Sequence, residues 1–98
     1  MLHLNRLQGF RWDDGNIRKG DKHAVSPGEA EQVFFNNPLM LQDPKHSAEE
    51  PRYHALGATE DGRFLHVTFT LRGDGTLIRV ISARPMHRKE RARHGKET

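Results

Sequence analysis

Ninety-eight residues, 34% hydrophobic and 30% charged, suffice for one small domain with a modest core and are too few for two. The absence of cysteine excludes a disulfide framework and any thiolate metal site. The net charge of +3 is localised: from residue 84 onward six bases (Arg84, Arg88, Lys89, Arg91, Arg93, Lys96) outnumber two acids (Glu90, Glu97), while the rest of the chain has ten bases and eleven acids. A basic end of this kind suits an acidic partner, either nucleic acid or an acidic protein surface.

Residues 1–9 lack the apolar centre of a signal peptide, and no run approaches the ~18 apolar residues of a membrane span. A cytoplasmic protein without membrane association is therefore expected. Residues 7–12 read as a first strand. Asp13 or Asp14 is placed to cap a short helix over residues 16–23, which Gly15 and Gly20 weaken by roughly 1 kcal/mol each relative to alanine. Ser26-Pro27-Gly28-Glu29 is a stronger signal, with serine at the N-cap, proline at N1 and glutamate at N3 of a capping box. Ala30, Val33 and Phe34 follow at the spacing of one helix face, and Asn36-Asn37-Pro38 stops the helix.

Residues 39–41 form a short apolar strand, and residues 43–51 a polar loop expected to be mobile. Residues 52–59 read as a strand, Asp61-Gly62 as a hairpin turn, and residues 64–71 as a strand whose Leu65, Val67, Phe69 and Leu71 share one face. His66, Thr68 and Thr70 take the other face. Gly73-Asp74-Gly75 makes a second tight turn before a last strand over residues 77–83. A basic helix follows over residues 86–94. The order β-α-α-β-β-β-β-α predicts a single α+β domain, residues 1–98, with residues 1–6 and 95–98 poorly ordered. Its sheet is expected to be antiparallel, with two N-terminal helices packed on one face and the basic helix at the C-terminus.

Arg52, Arg72, Arg79 and Arg84 lie on or beside strands. Arg72 ends one hairpin strand and Arg79 lies within its partner, so their charges are expected to approach. Like charges gathered in this way call for an anionic ligand or acidic neighbours; scattered solvent-facing arginines are the competing interpretation. Lys22-His23 is a candidate proton-transfer or phosphate-binding pair, against a simpler role in complementing a helix C-terminus. Glu29 is a candidate base already explained by the capping box. His46, His54, His66, His87 and His94 raise a metal site, with His54 and His66 able to face each other across a hairpin, but no third ligand at a suitable spacing supports it. No metal or other cofactor is expected. Phe10 and Trp12 are better placed in the core than as base-stacking platforms.

Phe10-x-Trp12-Asp13, Lys22-His23-x-Val25-Ser26, Glu29-Ala30 and Val33-Phe34 resemble the first half of the BrnT toxin family. Asp43, Arg52, Leu56-Gly57, Gly62, Val67-x-Phe69-Thr70, Arg72, the run Ile78-Arg79-Val80-Ile81-Ser82-Ala83-Arg84 and Glu90-Arg91 are similar to its second half. Ala24 stands where the family usually has glycine, Pro85 where arginine or lysine is common, and His94 near the place of a terminal tyrosine. The resemblance implies a RelE-like fold and a type II toxin that cuts RNA and inhibits translation. It also implies neutralisation by a BrnA-type ribbon-helix-helix antitoxin, whose complex with the toxin binds operator DNA through the antitoxin.

Metal-free cleavage would use the 2′-hydroxyl as nucleophile and fixed positive charge to stabilise the crowded phosphate. On that expectation Arg72, Arg79 and Arg84 stabilise the phosphate, His23 transfers protons, Lys22 contacts phosphate, and Glu29 is a weaker candidate. Arg52, Arg88, Lys89 and Arg91 bind the RNA backbone. A non-catalytic nucleic-acid binder or a protein-interaction module on the same basic face remain the alternatives.

Overall fold

The computed structural model describes residues 6–46 and 50–97. Five strands form one mixed sheet in the order β1-β5-β4-β3-β2: β1 (Gly9–Phe10), β2 (Leu39–Gln42), β3 (Tyr53–Ala58), β4 (Phe64–Arg72) and β5 (Leu77–Pro85). Helix α1 (Pro27–Phe35) lies between β1 and β2, and α2 (Arg88–Glu97) ends the described chain. The expected fraying at residues 95–98 falls partly within α2, which continues to Glu97; residues 1–5, 47–49 and 98 lie outside the described residues.

The two hairpins behave as their turns predict. Gly62 (φ +81°), and Gly73 and Gly75 (φ +60° and +88°), take the left-handed conformations that tight turns require. Strands β2, β3, β4 and β5 are successively antiparallel. β1 departs from the expectation of an all-antiparallel sheet, because Gly9 and Phe10 pair in parallel with Leu77 and Ile78. No turn joins β1 to β5, so no hairpin fixes its direction.

The core occupies one face of the sheet. Val33 and Ala30 of α1 pack on Ala55, Leu65, Val67, Phe69, Ile78, Val80 and Ala83, all buried. Phe10 and Trp12 border this cluster, as expected, together with Phe34 and Tyr53. Phe34 meets Phe10 and Phe69 edge-on at 5.5 and 5.0 Å. The capping box of α1 is complete: Ser26 Oγ accepts from Glu29 N–H at 3.1 Å, and Ser26 N–H donates to Glu29 Oε1 at 3.0 Å.

The predicted helix over residues 16–23 does not form, so a single helix rather than two covers this face. Successive turns run from Asp14 to Gly20, followed by one 3₁₀ turn, Asp21–His23. Asn16 supplies the reason. Its side chain is 2% exposed, accepts from Asp13 N–H, and donates to the carbonyls of Arg11 and Val80. A side chain that competes in this way for backbone groups favours turns over helix. Gly20 lets the segment close on itself: a β-carbon there would lie 2.3 Å from the Val25 carbonyl oxygen.

Ala24 ends the 3₁₀ turn in the left-handed conformation (φ 55°, ψ 41°). An L-residue with a β-carbon is strained there and glycine is not. Ala24→Gly is expected to stabilise the protein by about 0.5–1 kcal/mol and to raise Tm by roughly 3–6 °C. An unchanged or lowered Tm would contradict this assignment of strain.

Candidate active site

The face of β4 and β5 opposite the core carries Arg72, Thr70, Thr68 and His66 on one strand and Arg79, Ser82 and Arg84 on the other. Thr70 pairs with Arg79, Thr68 with Ser82, and His66 with Arg84. Arg79 and Arg84 are five residues apart, an odd spacing that would put them on opposite faces of a regular strand. A bulge corrects the parity. Val80 pairs with Phe69 and Ser82 with Thr68, so Ile81 is the extra residue, and both arginines project from the same face.

Each of these arginines meets a carboxylate from outside the sheet. Arg79 Nη1 donates to Asp13 Oδ2 at 2.6 Å, and Arg72 Nη1 to Glu50 Oε2 at 2.6 Å. Arg84 grips Glu90 of α2 with both arms of its fork, Nη1 to Oε1 and Nη2 to Oε2, each at 2.8 Å. The three arginines are spread along the strands, and each has an acidic partner of its own. The Arg79 hydrogen bond holds the Asp13 carboxyl below the usual carboxylate range.

Between Arg84 and the end of β2 lies a chain of side chains that the sequence suggested only as a weak metal pair. Asp43 Oδ2 is 2.9 Å from His54 Nε2, His54 Nδ1 is 2.8 Å from His66 Nε2, and His66 Nδ1 is 2.7 Å from Glu90 Oε2. The imidazoles stand edge to face with centroids 4.7 Å apart. Thr68 Oγ1 lies 3.0 Å from His54 Nδ1, and Arg84 Nη2 lies 2.9 Å from His66 Nδ1. Among the described residues no group of three or more His, Cys, Asp or Glu is arranged to hold a metal ion.

Burial pushes the His66 pKa down, partly opposed by its hydrogen bond to Glu90. Burial also acts to raise the Glu90 pKa, but the Arg84 fork, the His87 N–H and His66 outweigh it and bring it from 4.5 to about 2. A carboxyl with a folded pKa below its unfolded value contributes stability that is complete above the unfolded pKa. That contribution is lost as pH falls from 4.5 toward about 2. Glu90→Gln is expected to lower stability at neutral pH by on the order of 2 kcal/mol and to flatten its decline across that window. Denaturant melts at several pH values would check this, and parallel curves for the two proteins would contradict it.

Lys22, His23 and Glu29 gather around a different arginine. Arg63 Nη1 donates to the Ala24 carbonyl and to both oxygens of Glu29, and Arg63 Nη2 donates to the His23 carbonyl. Glu29 therefore serves both the helix cap and Arg63; the Ser26 N–H leads in lowering its pKa. Lys22 is exposed and His23 half-buried, on the 3₁₀ turn that packs beside β5.

Arg52 begins the approach to β3 and lines a groove of about 240 Å³ with Gln42, Pro44, Pro51 and Tyr53. Arg88 and Arg91 line a second groove, about 480 Å³, with Phe64, Met86 and His94, and Lys89 is exposed on the same helix. The Arg91 guanidinium stands 4.9 Å above the Phe64 ring. No described helix is long and apolar enough to cross a membrane.

A comparison with curated proteins returns no match. The family model described as the ribonuclease toxin BrnT of type II toxin–antitoxin systems matches residues 12–90, from Trp12 in the N-terminal segment to Glu90 at the arginine fork. The chain belongs to the BrnT family of ribonuclease toxins, whose type II systems pair the toxin with a protein antitoxin.

Proposed function

We propose that this protein is a metal-independent endoribonuclease of RelE-like fold that cuts RNA in the cytoplasm and so inhibits translation. The observation that carries the reading is the set of three guanidinium groups, Arg72, Arg79 and Arg84, on one sheet face in a chain of a ribonuclease toxin family. Attack of a 2′-hydroxyl on the adjacent phosphate concentrates negative charge on its oxygens, and fixed cations at that point lower the barrier. The product is a 2′,3′-cyclic phosphate. His23 serves in proton transfer and Lys22 as a phosphate contact. Glu29, committed to Ser26 and Arg63, serves as a positioning residue for the turn that carries them.

Arg52, Arg88, Lys89 and Arg91 guide the RNA backbone. Neutralising Arg88, Lys89 and Arg91 together is expected to weaken RNA binding uniformly across sequences and to reduce the slope of log K against log salt by about 2. An unchanged slope in a filter-binding titration would remove α2 from the interface. The partner that neutralises the toxin is a BrnA-type ribbon-helix-helix antitoxin, and their complex binds operator DNA through the antitoxin.

Induced expression in growing cells tests this reading. Growth and protein synthesis are expected to stop, cellular RNA to be cut, and co-expression of the antitoxin to restore all three. Continued growth with intact RNA, at verified expression of folded protein, would contradict it.

A further inference from the structure

The array Asp43–His54–His66–Glu90 contains three hydrogen-bond contacts around two imidazoles. A neutral imidazole has one N–H, and a carboxylate only accepts. Filling all three contacts therefore needs three imidazole protons, one more than two neutral rings hold. In that arrangement His54 donates to Asp43 and to His66 Nε2, while His66 Nδ1–H donates to Glu90. Removal of one proton leaves a second satisfied arrangement. Arg84 Nη2 then donates to His66 Nδ1, His66 Nε2–H to His54 Nδ1, and His54 Nε2–H to Asp43, along contacts of 2.9, 2.8 and 2.9 Å. In the first state Arg84 Nη2 and His66 Nδ1–H are two donors that share Glu90 Oε2, and only in the second is the contact between them a hydrogen bond. In the second state the 2.7 Å approach of Glu90 Oε2 to His66 Nδ1 sets acceptor against acceptor, which favours release of Glu90.

The Glu90 carboxylate also marks where an oxyanion sits. Its Oε2 is shared by Arg84 Nη2 and His66 Nδ1, and its Oε1 by Arg84 Nη1 and the His87 N–H at 2.8 Å. A phosphate taking this position would receive the same donors.

We infer that His66 is the general acid of RNA cleavage, with His54 and Asp43 as positioning residues that return a proton to it. The inference rests on the ribonuclease reading above. The RNA phosphate displaces Glu90 from the Arg84 fork and accepts His66 Nδ1–H. The 2′-oxygen bonds to phosphorus and its proton passes to the general base, the role proposed above for His23. The bond from phosphorus to the 5′-oxygen breaks with its electron pair on that oxygen, which takes the Nδ1 proton of His66. The His54 Nδ1 proton moves to His66 Nε2, leaving the second arrangement, and a proton from solvent restores the first. The groups facing the pair are Asp43 at the end of β2, Arg84 on β5 and Glu90 on α2. Burial lowers the His66 pKa, in keeping with His66 as the neutral ring of the pair.

Single-turnover cleavage of an oligoribonucleotide in EDTA, from about pH 5 to about pH 9, tests this with wild type, His66→Gln and His54→Gln. The same sequence with a 5′-bridging sulfur at the cleaved bond is run in parallel, because a thiolate leaves without a proton. His66→Gln is expected to cut ordinary RNA ~10²–10⁴-fold more slowly, to lose the alkaline limb of the profile, and to cut the sulfur substrate within several-fold of wild type. His54→Gln is expected to shift the alkaline limb with a smaller loss. Equal slowing of His66→Gln on both substrates, or an unchanged rate and profile on ordinary RNA, would overturn the general-acid assignment and leave the ribonuclease reading intact. Absence of cleavage by wild type, with and without ribosomes, would overturn both.

Discussion

Arg79→Ala is expected to reduce RNA cleavage by ~10²–10³ while leaving the fold nearly as stable as before. The rate loss is that of removing one fixed donor from a developing phosphorane-like charge. The small stability change follows from the partner. Asp13 is 42% exposed in its ion pair with Arg79, and water rehydrates it when the guanidinium is gone. An ion pair with one partner this open contributes little to stability. Activity and Tm therefore separate in this variant, and RNA affinity should fall far less than turnover. Asp13→Asn supplies the control: it keeps Arg79 in place with a neutral neighbour, and should retain most of the activity. If Arg79→Ala cuts as fast as wild type, the arginine face is not the catalytic surface.

The largest expected effect on stability lies at Asn16. Asn16→Ala should cost about 2–4 kcal/mol, because it strips the carbonyls of Arg11 and Val80 and the N–H of Asp13 of their partner in a site closed to water. Asn16→Asp should be at least as damaging at neutral pH, since an acceptor would then face two carbonyl oxygens. Thermal or urea unfolding of both variants checks the prediction. Losses under about 0.5 kcal/mol would mean that the 13–25 segment is not pinned to β5 through this side chain. The same segment bears Lys22 and His23, so the stability of Asn16 and the placement of the proposed proton-transfer residue are linked.

These two residues also show what could and could not be read from the chain. Strands β3, β4 and β5 were legible because their alternation and glycine turns act locally, and the capping box fixed the start of α1. The helix expected over residues 16–23 failed because Asn16 finds its partners on Arg11 and across the fold on Val80, 64 positions away in sequence. The parallel pairing of β1 was hidden for the same reason: it depends on β5, at the far end of the chain.

The arginines were legible as residue types, but their common face was not. Counting by twos from Arg79 misses Arg84, and only the bulge at Ile81 brings them together. His54 and His66 were visible as cross-strand neighbours, yet the carboxylates that give them a proton-transfer role come from Asp43 before one loop and Glu90 on a separate helix. A signal was available in the composition of the face: two histidines on adjacent strands beside Arg84, in a chain with no cysteine to suggest a metal site.

Incubating the purified protein with end-labelled single-stranded RNA in EDTA, alongside Arg79→Ala, with and without ribosomes, shows whether a ribonuclease acts from this arginine face without metal. Cleavage by wild type, loss of cleavage in the variant, and 2′,3′-cyclic phosphate ends on the products are expected. RNA left intact by wild type under both conditions, or cut equally by the variant, would contradict this reading.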